Sequence, residues 1–191
     1  LDALTAILER RTFPPVKLGE PGPDPQQLDL LLRAAAAAPD HGLLRPFRLI
    51  VVEGEGRQRL GELFAAALAA ERPETPAADL EKQRSNPARV PLVLLVVLKT
   101  RPDHPKIPEI EQIASAAAAT QNLLLAARAL GFEAKWATGF PASSPRVARG
   151  LGLTAGERLF AILYIGTARA PHEGAPRPEP SEIASRWPET A

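Results

Sequence analysis

The chain has 191 residues, 45% of them hydrophobic, which suits one domain with a substantial core. Lys and Arg number 23 against 22 Asp and Glu, and there is no basic cluster or aromatic stripe, so composition excludes an electrostatic footprint for nucleic acid. Cysteine is absent, which excludes disulfides, thiolate nucleophiles and cysteine metal sites and fits a cytoplasmic protein. The opening LDALTAILERR places charges inside a helical pattern and has no apolar signal-peptide region. Asp2 can cap a first helix with Leu4, Ile7 and Leu8 on one face, and Phe13-Pro14-Pro15 stops it after Arg10-Arg11-Thr12. A proline-rich loop runs to Gly22. Asp24, Pro25 and Gln27 then form a capping-box variant for a second helix carrying Leu28, Leu31, Leu32 and Ala35, which Pro39 ends.

After the loop Pro39 to Pro46, Phe47 to Glu53 reads as a strand, and Gly54-Glu55-Gly56 turns into a third helix with Leu60, Leu63, Phe64, Ala67 and Leu68 inward. Thr75-Pro76 is the expected cap and first residue of a short exposed helix. Pro91 to Lys99, nearly all Leu and Val, reads as a strand buried on both faces. The longest element is the helix from Pro108 to Leu130, about 33 Å at 1.5 Å per residue, with acidic residues at its start, Arg128 near its end and Gly131 as a left-handed stop. Its apolar surface extends almost all round, and the small side chains of Ala114 to Ala119 would admit another backbone. Gln112, Gln121, Asn122 and Arg128 interrupt it, so the expectation is a core and dimer-interface helix and no membrane span. A strand Phe132 to Thr138, a short helix Pro145 to Gly150 capped by Ser144, and a buried strand Arg158 to Thr167 follow. Four strands with clustered helices indicate an α+β layer fold. Residues 1–169 read as a single domain, and 170–191, rich in Pro and Glu, as an arm that is either extended or disordered.

Gly54-Glu55-Gly56 lacks the third glycine of a dinucleotide fingerprint, since Arg59 stands there, and reads as an ordinary strand-to-helix turn. His41, His104 and His172 have no ligand-like spacing, so no metal site is expected. Arg10, Arg11 and Thr12 at a helix-to-loop corner either hold a phosphate or complement a helix C-terminus. The loop carrying Asp40, His41 and Arg45 is either a functional loop or a capped, solvated turn. Gly139, after Trp136-Ala137-Thr138, either admits a ligand to the backbone or makes a plain turn.

Taken together and in order, several stretches resemble the nitroreductase family of flavoproteins, and most of all its small members. They are Leu4 to Thr12, Ala38 to His41 with Arg45-Pro46-Phe47, Val52 to Arg57, the long helix into Leu130-Gly131-Phe132, Trp136 to Gly139, and Leu163 to Thr167. The resemblance implies a mainly antiparallel sheet flanked by helices around a long central helix. It also implies FMN shared between two subunits of a homodimer, NAD(P)H as reductant, and nitro compounds or quinones as oxidants, used in turn. Carried over by position, Arg10, Arg11 and Thr12 would hold the FMN phosphate, ribityl chain and ring edge. His41 would reach the flavin from the partner subunit, and Trp136, Ala137 and Thr138 would line the ring. Ala126, Ala127, Arg128, Ala129, Leu130 and Gly131 match a stretch linked to the nicotinamide dinucleotide. Three positions depart from relatives. Lys17 is the first basic residue after the corner, Ala37 stands where relatives place an arginine that meets the flavin, and Arg45-Pro46-Phe47 replaces Gln-Pro-Trp. A non-redox flavin-binding or ligand-sensing protein on the same fold is the competing reading.

Overall fold

The Leu- and Val-rich run after Pro91 is the centre of the molecule. In the computed structural model, which describes residues 2–188, strand β3 (Leu92–Lys99) is buried along all but its last residue. Leu1 and the arm residues Glu189 to Ala191 lie outside the described residues. Side chains alternate along β3 with period two. Leu92, Leu94 and Val96 pack against helices α2 (Pro25–Ala36) and α5 (Glu109–Ala129), while Val93 and Leu95 pack against α3 (Gly56–Glu71).

Around β3 the described residues form a five-stranded sheet. Strand β2 (Phe47–Val52) lies on one side of β3 and β5 (Glu157–Ala168) on the other, both antiparallel. β5 also carries β4 (Glu133–Ala137) and, at its end, a two-residue strand β1 (Leu18–Gly19). That last strand corrects the expectation of four: the proline-rich loop donates a short pairing segment to Thr167 and Ala168. A bulge between Val96 and Val97 leaves Phe160 as an extra residue on β5, where it meets Trp136 of β4 at 5.9 Å between ring centroids.

α5 matches the expected long helix: 21 residues, about 31 Å. Two of its polar interruptions, Gln112 and Asn122, are tied into the fold. Gln112, 2% exposed, accepts from Arg101 N and donates to the carbonyls of Arg101 and Ile107, fastening the preceding loop. Asn122 donates to Ala34 O and ties α5 to α2. Asp2 caps α1 (Ala3–Glu9), Asp24 completes the capping box, and Gly131 takes φ 90 at the helix stop.

Thr75 does not cap α4 (Ala77–Ala88). Pro76 is the cap residue and the Thr75 hydroxyl donates to Arg72 O. Nor is that helix a loose appendage, because it lies against α3 at Gly61. The C-terminal part follows through α6 (Gly139–Ser143), α7 (Pro145–Gly150, capped by Ser144) and a short α8 (Pro180–Ile183) within an otherwise extended, exposed arm. No described helix is long and apolar enough to cross a membrane.

One ion pair reaches across the sheet. Arg48 on β2 grips Glu157 on β5 with two nitrogens, at 2.8 and 3.0 Å, and Thr154 N adds a third donor. The hydrogen bonds from Arg48 and then Thr154 hold the Glu157 carboxyl down at about 2. A depressed carboxyl contributes stability above its unfolded value and loses it as pH falls toward the folded one. Acid titration followed by circular dichroism should therefore show stability declining from about pH 4.5 to about pH 2, and E157Q should flatten that decline.

Candidate active site

The Arg10–Thr12 corner is built by the end of α1 and the edge of β4. Arg10 leaves the helical region at φ −54, ψ 130, and the chain runs extended so that Thr12 bridges Ala134 in parallel and Phe13 N donates to Ala134 O at 3.1 Å. Pro14 and Pro15 then prevent continuation of the α-helix, and only a single 3-10 turn, Pro15–Lys17, follows. Arg10, Arg11 and Thr12 line one wall of a cleft of about 320 Å³. The opposite wall is the arm, through His172, Gly174, Ala175 and Arg177.

Several hydrogen bonds hold the two walls together. Arg11 Nε donates to Glu173 O at 3.0 Å, and Arg177 Nη2 donates to Arg10 O at 2.6 Å. Gly174, at φ 73, lets the arm approach so closely that a Cβ there would sit 2.6 Å from Arg11 Cδ. Lys17 is turned to the arm as well, with Nζ 3.3 Å from both Pro171 O and His172 Nδ1, and the His172 ring meets Phe13 edge-on at 5.3 Å. Arg11 Nη1 also donates to Leu8 O, so the corner does complement the end of α1.

The cleft lining holds three arginines and no carboxylate. Burial pushes the Arg10 guanidinium below its ordinary value, the charges of Arg177 and Arg11 push it further, and Glu133 opposes them. Like charges gathered with no carboxylate in the lining suit an anion, and the guanidinium N–H groups not engaged by backbone carbonyls are the donors a phosphate would meet.

Across the corner lies a second cleft of about 470 Å³, between Pro14, Pro15 and Val16 on one side and α4 on the other. Lys82, Arg89 and Lys135 face it, and none has a carboxylate partner among the described residues, while the cleft's one acid, Glu81, is engaged by Arg84. Lys135 leads directly into Trp136, Ala137 and Thr138, where β4 ends and Gly139 turns at φ 59. Lys82, Arg89, Lys135, His172 and Arg177 were not among the residues expected from the sequence. The basic residues Lys82, Arg84 and Arg89 in and after α4 are an available signal, but the arm is richer in Glu than in Arg, so nothing local marks Arg177 or says which residues converge.

The remaining expected residues lie elsewhere in the single chain. His41 stands exposed on a loop in which Gly42, Leu43 and Arg45 all have positive φ. Asp40 braces that loop by accepting from the backbone N–H groups of Leu44 and Arg45. His41 Nδ1 lies 2.5 Å from Glu111 Oε2. Ala37 shares a cleft of about 440 Å³ with Ala126, Ala129 and the α1 residues Ala6 and Ile7, apart from the arginines. Of the other residues in the 126–131 stretch, Ala127 is in the core, Arg128 is ion-paired, Leu130 caps α5 and Gly131 makes the stop. Among the described residues no group of His, Asp and Glu is arranged to hold a metal.

An antiparallel sheet between α2 and α5 on one face and α3 on the other, with a basic corner at its edge, defines an α+β layer fold. Residues 18–167 match the model of the Nitroreductase family, and the chain belongs to that family. It is 36% identical over 167 residues to the Escherichia coli (strain K12) protein named "Putative NAD(P)H nitroreductase YdjA", covering 87% of this chain and 88% of that one. Among solved structures, a nitroreductase-like family protein from Bacillus cereus superposes with a TM-score of 0.82 at 24% identity, covering 98% of this chain and 97% of the other. A mutant of the FMN and NADPH-dependent nitroreductase NfnB, derived from Sphigopyxis sp. strain HMH, gives 0.79 at 20% identity, covering 98% and 99%.

Proposed function

We propose that this chain is an FMN-dependent oxidoreductase that passes hydride from NAD(P)H to nitroaromatic or quinone-type acceptors. The observation that carries the reading is the carboxylate-free cleft of Arg10, Arg11 and Arg177, which suits the phosphate end of FMN. Family membership and the names of the relatives, which specify NAD(P)H and FMN, support it.

FMN, when bound, supplies the hydride acceptor and donor. The protein's part is to bind, orient and tune it. Arg10, Arg11, Thr12 and Arg177 would hold the phosphate by charge-assisted hydrogen bonds. Lys82, Arg89 and Lys135 would place positive charge beside the electron-rich part of the ring, a stabilisation already in place before reaction. Trp136, Ala137 and Thr138 would line the ring through backbone and hydroxyl groups. Lys17, engaged by the arm, would act through the closure of the cleft. No protein nucleophile is required.

The reading includes a homodimer with His41 of the partner subunit at the flavin. Leu4 and Leu8 are each 68% exposed on α1, beside an alanine-lined cleft, and Ile110 is 68% exposed at the start of α5. Residues 1–169 would form the domain that dimerises, with 170–191 as its arm, in a cytoplasmic protein. Light scattering at micromolar concentration should give twice the 20.4 kDa chain mass, and a monomer would remove the shared-site reading.

Steady-state NAD(P)H oxidation by the FMN-loaded protein tests the activity. With a nitroarene or quinone as acceptor, double-reciprocal plots should be parallel, because reductant and oxidant use one face alternately. Intersecting lines would contradict the alternating scheme, and no turnover with any such acceptor would favour a non-redox flavin binder.

A further inference from the structure

Arg128 is the one charged residue in the 126–131 stretch, and its guanidinium is committed to two carboxylates. Nη2 donates to Glu9 Oε2 at 3.0 Å, and Nη1 donates to the buried Glu133 in a short contact. Its Nε is buried without a partner, so the fold tolerates a lost hydrogen bond in keeping this orientation. These two carboxylates bracket the arginine corner. Glu9 immediately precedes Arg10, and Glu133 immediately precedes Ala134, the residue that bridges Thr12. Glu133 is also the carboxylate whose charge acts on Arg10. Released, it would be free to neutralise the guanidinium that the phosphate cleft needs.

We propose that Arg128 is a positioning residue for the phosphate cleft: by engaging Glu133 it keeps that carboxylate from pairing with Arg10, leaving the Arg10 guanidinium available to a phosphate monoester. The proposal rests on the FMN reading above. A planar fork can hold two carboxylates at once, which a lysine ammonium does less well. Burial raises the Glu133 carboxyl and Arg128 lowers it, in keeping with a group that needs a cation close by.

The test titrates FMN and riboflavin, which lacks the phosphate, into the flavin-stripped full-length chain and its R128A and R128A/E133Q variants. R128A should weaken FMN about tenfold, the scale of one charge-assisted hydrogen bond, and leave riboflavin within about twofold. R128A/E133Q should recover most of the FMN affinity, because the competing carboxylate has lost its charge. A purely structural role for Arg128 would also be relieved by E133Q, which removes an unpaired buried charge, but it would move FMN and riboflavin together, so the riboflavin titration separates the two. Parallel weakening of FMN and riboflavin, or a double variant no better than R128A, would overturn the proposal. So would a raised KM for NADPH with FMN affinity unchanged, which would make Arg128 a dinucleotide contact. A wild-type chain that binds riboflavin as tightly as FMN would instead remove the phosphate reading itself, and the proposal with it.

Discussion

Replacing Arg10 and Arg11 together by alanine should weaken FMN binding about 100-fold or more, with riboflavin affected far less. The size follows from the donors lost. A hydrogen bond to a charged group contributes about 1.5–3 kcal/mol, so two of them span about 100- to 10,000-fold in affinity. The cleft is half-open to solvent, which favours the lower end of that range. Part of the loss will pass through the arm, because Arg11 also donates to Glu173 O. R10A alone leaves that contact in place and isolates the direct one, whereas R177A removes the donor from the opposite wall. Both single variants should lower the salt sensitivity of FMN binding, and riboflavin, which lacks the phosphate, should respond little to salt in any of them, so titrations of both at two ionic strengths supply the control. Equal losses for FMN and riboflavin would mean that the arginines hold the fold and not a phosphate.

The second large effect is on stability. Gly61 sits inside α3, where Gly→Ala ordinarily gains about 1 kcal/mol through helix propensity. Here a Cβ would lie 2.0 Å from Arg84 O and 2.9 Å from Arg84 C, both backbone atoms of α4 that cannot rotate aside. Overpacking costs about 1–3 kcal/mol and sometimes more, and contact with backbone belongs at the upper end. The net expectation for G61A is a loss of about 2 kcal/mol, a fall in Tm of about 4–8 °C for a chain of this size. Because α4 forms one wall of the basic cleft, G61A should also loosen ligand contacts at Lys82 and Arg89. An unchanged or raised Tm would show that α4 can move away from α3 without cost.

The elements that could be read from the sequence are those whose signal is local. The capping box at Asp24, the double-sided burial of Leu92 to Leu98, the stop at Gly131 and the Ser144 cap each follow from a few adjacent residues. What could not be read depends on distant partners. The strand at Leu18 exists only because the end of β5 is there to pair with it. Thr75 is the local exception: the carbonyl of Arg72, three residues back, takes its hydroxyl, and Pro76 is left as the cap residue. The same division runs through the site. Arg10, Arg11 and Thr12 stand out as a corner motif, but the fourth donor, Arg177, comes from a segment more than 160 residues away and carries no motif. Lys17 is a candidate for the flavin through the family resemblance, and in the single chain its ammonium lies against Pro171 O and His172 Nδ1. Arg128 is assigned to a nucleotide-binding stretch by the resemblance, and in the single chain two of its guanidinium nitrogens meet carboxylates from α1 and β4. Periodicity and caps report on neighbours along the chain, whereas charge convergence reports on topology.

The central claim is that the basic corner holds a flavin that NAD(P)H can reduce. Its most direct measurement is the visible absorption spectrum of the full-length chain, mixed with FMN and freed of excess, before and after anaerobic addition of NADPH. The account predicts a flavin band that travels with the protein and bleaches on addition of NADPH. A colourless protein after soaking with FMN, or a yellow one that NADPH and NADH both leave unbleached, would contradict it.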